Sequence, residues 1–247
     1  MTLDAVIADN LRAVRARIDA AARRASRDPD GVTLIAVSKT FPTAYVRAAA
    51  AAGQVDFGEN KVQEALQKIS EAAEITTIRW HLIGHLQSNK AKKVAQPFAC
   101  IHSIDSVELL ERVDSAAAEH GSTPDVLVQV DLAGEATKFG APSEAARRVI
   151  DAALAARAVR LAGVMLVPPW NDDQEQTRPW FRRLRELRDA WVADGIPAMS
   201  LRHLSMGMSH DFEAAIEEGA TLVRVGTAIF GKRTHPTTTG IAPLGGR

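Results

Sequence analysis

Cysteine is almost missing from this chain. The one thiol, Cys100, has no second cysteine for an internal disulfide and no thiolate cluster for a structural zinc, so a reducing, cytoplasmic setting is expected. An excess of either charge is also missing, because 30 Lys plus Arg meet 30 Asp plus Glu. The molecule therefore lacks the basic field that non-specific nucleic-acid binding needs, and any anion must be gripped locally. Long apolar runs are absent too. No stretch approaches the roughly 18 residues of a membrane span, and acids interrupt the apolar residues of MTLDAVIADNLRAVRARIDAAARR. Neither a signal peptide nor a membrane anchor is expected. What remains is an average globular composition, 46% hydrophobic and 24% charged, which excludes disorder or a fibre for the bulk of the 247 residues.

Leu3, Val6, Ile7, Leu11, Val14 and Ile18 recur at steps of three and four. That spacing predicts an amphipathic N-terminal helix within residues 1 to 27, with Arg12, Arg15, Arg17, Arg23 and Arg24 mostly on its solvated faces. After the turn signal Asp28-Pro29-Asp30-Gly31, short apolar β-branched runs predict strands near 32 to 38, 54 to 57, 79 to 84, 100 to 104, 126 to 132, 161 to 167, 201 to 205 and 222 to 226. Helical periodicity is clearest over 106 to 120, 142 to 156 and 174 to 192. Eight alternations of strand and helix favour an α/β fold of one closed (β/α)8 TIM barrel with an extra N-terminal helix. A single domain over 1 to 233 is expected. The segment 234 to 247 is rich in Thr, Pro and Gly and is expected to be a flexible tail.

In such a barrel the chemistry sits just past the C-terminal ends of the strands, and a phosphate usually sits after the seventh and eighth. Ser205 to Ser209 there offer two hydroxyls and a glycine ahead of a short candidate helix, 211 to 217. Gly226-Thr227 repeats the arrangement ahead of an apolar turn ending at Phe230. Each nest alone is more often a simple turn; together, at these two strand ends, they point to one phosphate.

Lys39 leaves the first strand and by alternation shares a face with Val37 and Ile35. Desolvation and a nearby cation such as Arg224 would favour its unprotonated amine, the form that attacks an aldehyde. An aldehyde carrying a phosphate ester satisfies both features, and pyridoxal 5′-phosphate is the commonest such cofactor. Arg224 shares its face with Gly226, beside the phosphate nest, where it cannot pass a proton to a pyridine nitrogen as a carboxylic acid can. Its alternative role is to pair a carboxylate such as Glu59. Asn60 either hydrogen-bonds a ring hydroxyl or caps the helix starting near Lys61. His81 and His85 are four apart, but His81 falls inside a strand, so no metal site is expected. Lys90, Lys92 and Lys93 read as a solvated helix face, Lys138 as a second amine on the mouth, and Cys100 as a buried inert thiol.

The segments LIAVSKTFP, DFGENKVQEAL, WHLIGHLQSNKAKKV, IHSIDS and LSMGMSHDFEAAIEEGATLVRVGTAIFG, in order over about residues 32 to 231, resemble the pyridoxal phosphate homeostasis proteins. That family is similar to the N-terminal barrel of alanine racemase, a fold-type III cofactor barrel. The resemblance implies that Lys39 carries the cofactor as a Schiff base and that Ser205, Gly226 and Thr227 hold its phosphate. It also implies that Arg224 faces the pyridine nitrogen, with Asn60, Met206 and Gly207 lining the pocket. Two positions depart from the family: Lys61 follows GEN where a tyrosine is usual, and Asp131 stands where an asparagine is common.

The expectation is thus a cytoplasmic, monomeric protein that binds pyridoxal phosphate reversibly, buffers it and delivers it to apo-enzymes that use it. No catalytic turnover, nucleic acid or membrane is expected. The alternative is an amino-acid racemase, which the sixteen residues after Gly231 leave without the separate domain that supplies the opposing base. A sugar-phosphate isomerase would use the phosphate nests but give Lys39 no aldehyde.

Overall fold

The β-branched runs form parallel strands at Thr33–Val37, Asp56–Glu59, Arg79–Leu82, Cys100–Ile104, Asp125–Asp131, Arg160–Met165, His203–Met208 and Leu222–Val225. The structure, a computed structural model, describes residues 1–134 and 139–232. The predicted tail over 234 to 247 and Lys138 lie outside the described residues. Each strand pairs with the next, and the first pairs with the last from Thr33↔Leu222 to Ala36↔Val225, which closes the barrel. Both faces of these strands are buried, so they read as continuous apolar runs.

One face packs outward against the helices in the main core. The other fills the barrel with Ile35, Cys100, Leu127, Ala162, Met165 and Leu222. His81, His102, Gln129, Ser205 and Arg224 are buried as well.

The departures from the predicted boundaries have local causes. The second strand starts at Asp56 because the Gln54 amide is already bound to the Leu34 carbonyl at 2.7 Å and the Asp56 carbonyl at 2.8 Å. The seventh starts at His203 because Ala198–Leu201 is a 3-10 turn. The long helix predicted from 174 begins at Arg178, with proline in its first turn, where a missing N–H costs nothing. A two-residue pairing that the sequence did not suggest, Ala141–Pro142, runs beside Val130 and Asp131. Gly140, at φ +134°, permits it: a Cβ there would stand 2.9 Å from the Asp131 nitrogen.

The N-terminal helix spans Leu3–Arg24, capped by the Thr2 hydroxyl, with Asp4 in its first turn and Arg23 and Arg24 in its last, as the helix dipole favours. Ile7, Leu11, Val14 and Ile18 are buried, each contributing roughly 1.5–3 kcal/mol, whereas Leu3 and Val6 are exposed. Arg12, Arg17, Arg23 and Arg24 are exposed and Arg15 is half-buried, as expected, and several of them find partners at the surface. Arg17 pairs with Glu213 and stacks on Phe212, Arg24 pairs with Glu217, and Arg15 donates to the carbonyl of Gly53. Among the described residues no helix is long and apolar enough to cross a membrane.

Candidate functional site

A cavity of about 380 Å³ opens at the C-terminal mouth of the barrel, within the range of small-molecule sites. Five of the sequence-predicted residues line it: Lys39, Asn60, Arg224, Gly226 and Thr227. Val37 lines it too, while Ile35 lies deeper in the barrel, so the alternation that put Lys39 inward holds.

The backbone that presents Lys39 is pinned from behind. Lys68 donates to the Ser38 carbonyl at 2.7 Å, to Glu59 Oε1 at 2.7 Å and to Glu64 Oε1 at 2.8 Å. The Ser38 hydroxyl donates to the same Glu59 oxygen at 2.6 Å. Burial pushes the Glu59 carboxyl up, and the Lys68 ammonium opposes that shift. Thr40, directly after Lys39, sits at φ +69°, a left-handed conformation that is strained for a β-branched residue. Its N–H is held there by Glu64.

Arg224 is 4% exposed. It donates to Ser205 Oγ at 2.6 Å and to the Leu166 carbonyl at 2.9 Å. The alternative pairing with Glu59 is not what forms, since Glu59 is engaged by Lys68 and Ser38. Burial lowers the Arg224 guanidinium to about 10, with Asp211 opposing, and it stays a cation at neutral pH.

The capping role considered for Asn60 is not used. Lys61 occupies the cap position of helix Val62–Glu71, and Asn60 faces the cavity instead. Its backbone rests on Gly84, where a Cβ would come within 2.3 Å of the Asn60 carbonyl oxygen.

The seventh strand end requires a correction. Ser205, Met206 and Gly207 do not reach the cavity wall: all three are buried, and Met206 packs into the helix-facing core. The register runs Ser205↔Leu222 and then Met208↔Arg224, a bulge that places one extra residue on the seventh strand. Gly207 accommodates it at φ +90°, so close to helix Phe212–Glu217 that a Cβ would stand 2.6 Å from Ala215 Cβ. Beyond the bulge Met208, Ser209 and His210 come to the wall. Ser209 Oγ accepts from the Gly226 N–H at 3.0 Å, and so joins the two nests. Ser205 lies one layer down, bound to Arg224.

Trp170 and His210 were not singled out by the sequence. Their rings lie 5.2 Å apart on the cavity wall, and His210 Nε2 is buried without a partner among the described residues.

The remaining candidates lie elsewhere. Cys100 is buried inside the barrel, its thiol pushed well up by desolvation. Lys92 and Lys93 are exposed, with Lys92 paired to Glu119, and Lys90 is half-buried. Asp131 closes a turn by accepting from the N–H groups of Ala133 and Gly134.

The site thus brings an amine, a buried cation, an unpartnered imidazole nitrogen and a hydroxyl-glycine cradle to one cavity. At Gly226 a Cβ would stand 3.1 Å from the Val37 carbonyl oxygen, so the cradle admits little more than backbone. This donor set fits an anionic ligand that also reacts with an amine.

Comparison with known proteins agrees with this chemistry. The family model described as alanine racemase, N-terminal domain, matches residues 10–234. The pyridoxal phosphate homeostasis protein of Pseudomonas aeruginosa is 44% identical over 229 residues, covering 93% of this chain and 96% of that protein. The protein of the same name from Aquifex aeolicus is 41% identical over 227 residues, covering 92% and 98%. Among solved structures, PipY of Synechococcus elongatus with PLP bound superposes with a TM-score of 0.81 at 40% identity, covering 91% of this chain and 100% of that one.

Proposed function

Because the chain belongs to the pyridoxal phosphate homeostasis proteins, within the alanine racemase N-terminal domain family, we propose that it holds pyridoxal 5′-phosphate reversibly on Lys39. In this reading it buffers the cofactor in the cytoplasm and passes it to enzymes that need it. Residues 1 to 233 act as one binding domain, monomeric and without turnover. The observation that carries the reading is that Lys39 and the Ser209–Gly226–Thr227 cradle line the same cavity.

The cofactor supplies an aldehyde open to reversible attack by an amine, and a phosphate that takes N–H and O–H donors. Lys39 provides the amine from a backbone that Lys68 and Glu64 hold in place. Ser209 and Thr227 offer donors for the phosphate, while Gly226, whose N–H is spent on Ser209 Oγ, leaves room for it to approach the backbone. Asn60 would meet the ring's polar edge, and Trp170 would stand at the rim beside it.

Arg224 bears on turnover. Its guanidinium has no proton to give at neutral pH, so it leaves a pyridine nitrogen facing it unprotonated, which makes carbanion chemistry unfavourable. A racemase of this class also needs a second proton-transfer group opposite the lysine.

The test is direct. Purified protein mixed with pyridoxal phosphate should turn yellow, borohydride should bleach it, and mass spectrometry should find the fixed mass on Lys39. A colourless protein would favour the isomerase reading, and labelling that survives Lys39→Ala would move the role to another amine. Rapid loss of the α-hydrogen from alanine would replace the carrier by a racemase. Activation of an apo-enzyme faster by the loaded protein than by free cofactor would support delivery.

A further inference from the structure

Beneath the cavity the barrel axis is threaded by polar side chains that the binding site does not itself use. Arg224 Nη1 lies 2.6 Å from Ser205 Oγ, and Ser205 Oγ lies 2.9 Å from His102 Nδ1. His102 Nε2 is then 3.0 Å from His81 Nδ1, and His81 Nε2 is 3.0 Å from Asp56 Oδ1. Asp56 is held in turn by Arg79, through contacts of 2.8 and 2.7 Å, at the opposite end of the strands. Ser205 and His102 are fully buried, and His81 is 7% exposed.

With both rings neutral, the two ends fix the direction of every link. Arg224 has only donors and the Asp56 carboxylate has only acceptors. Ser205 Oγ therefore accepts from Arg224 and gives its proton to His102 Nδ1. His102 carries its proton on Nε2 and donates to His81 Nδ1, and His81 carries its proton on Nε2 and donates to Asp56. Each ring is then satisfied at both nitrogens, as buried polar groups must be. Burial above all holds the His102 imidazole well below its ordinary value, in keeping with a neutral ring.

We propose that Asp56, His81, His102 and Ser205 form a one-way hydrogen-bond chain through the barrel that fixes the orientation of Arg224 beneath the bound cofactor, which makes His81 and His102 positioning residues for the site. Such a chain polarises along its length, so a change at Asp56 is felt at Arg224. One ring nitrogen of each histidine also lies within 4.8 Å of Cys100 Sγ. A metal there would take one nitrogen from each ring and require a thiolate that burial opposes.

The inference rests on the proposed cofactor reading for its effect on the site, but the chain itself is testable without ligand. Long-range proton–nitrogen NMR of the ligand-free protein should find both rings neutral, with the proton on Nε2. A proton on Nδ1 of either ring, or stoichiometric zinc by elemental analysis, overturns the chain whether or not the cofactor reading holds.

With pyridoxal phosphate, His102→Leu should weaken binding roughly tenfold and Asp56→Asn roughly threefold, and both should shift the absorbance maximum of the bound cofactor. A merely structural role lowers the melting temperature and leaves that maximum in place. An unchanged maximum and affinity in both variants overturns the proposal. If His102→Leu does not fold, Asp56→Asn, similar in volume and remote from the cavity, decides alone. Failure of the wild-type protein to bind the cofactor overturns the cofactor reading and, with it, the positioning role.

Discussion

The Lys68 ammonium reaches the Ser38 carbonyl at 2.7 Å, one residue ahead of Lys39, and holds Glu59 at the same distance. A buried ion pair thus fixes the backbone that delivers the amine. Removing one partner leaves the other charge uncompensated, which costs about 3–5 kcal/mol, more than the pair itself contributes. Lys68→Met should lower the unfolding free energy by that amount in urea titrations and slow capture of pyridoxal phosphate on Lys39. The double variant Lys68→Met/Glu59→Gln should recover most of the stability but not the capture rate. A single variant costing less than about 1 kcal/mol would show that the pair is not what holds this turn.

Ser209 tests the corrected phosphate cradle. Ser209→Ala removes one hydroxyl and the acceptor of the Gly226 N–H. Its loss should weaken binding of pyridoxal phosphate roughly tenfold and leave binding of pyridoxal, which has no phosphate, nearly unchanged. Equal losses for the two ligands by equilibrium titration would take Ser209 out of the cradle.

Gly84 supports Asn60 by contact of backbone on backbone. In Gly84→Ala the new Cβ would fall 2.3 Å from the Asn60 oxygen and 2.7 Å from its Cα. Asn60 must move, at a cost of roughly 1–3 kcal/mol, and cofactor affinity should fall with it. Gly31→Ala is the control, since nothing lies within 4 Å of its Cβ position, and its effect should stay within about 0.5 kcal/mol. Calorimetric melting of the two variants separates them, and a Gly84→Ala protein as stable as Gly31→Ala would contradict the contact.

Much of this architecture was readable in the sequence because both faces of each strand are buried, so periodicity and apolar runs located the barrel. Alternation then placed Lys39 with Val37 and Arg224 with Gly226 correctly. Strand-end counting misplaced Ser205, because the strand runs on to Met208 through a bulge at Gly207. A glycine flanked by two methionines announces no left-handed φ. The axial chain was hidden for a different reason: Asp56, His81, His102 and Ser205 are far apart in sequence, and only barrel closure brings them together. The solvated arginines of the first helix were legible but not their acidic partners, Glu213 and Glu217, which lie at the other end of the chain.

Acid should destabilise the protein through histidines that fold neutral. Burial holds His203 at about 4, and His102 is also well below its ordinary value. An unfolded histidine takes up a proton near pH 6.5, so between there and the folded value the unfolded chain binds more protons and stability falls as pH falls. The slope is at most about 1.4 kcal/mol per pH unit per group. Glu59, Asp105 and Asp211 act in the opposite sense. Burial raises their carboxyls, so the folded state takes up their protons first and part of the loss is offset at lower pH. A single variant isolates the histidine contribution: His203→Asn should shrink the drop in unfolding free energy between pH 7 and pH 5 by up to about 2 kcal/mol. The measurement is urea unfolding at both pH values, with His120→Asn on the exposed end of its helix as the reference. If both variants lose stability as steeply as the parent, His203 is not neutral in the folded protein and the assignment is wrong.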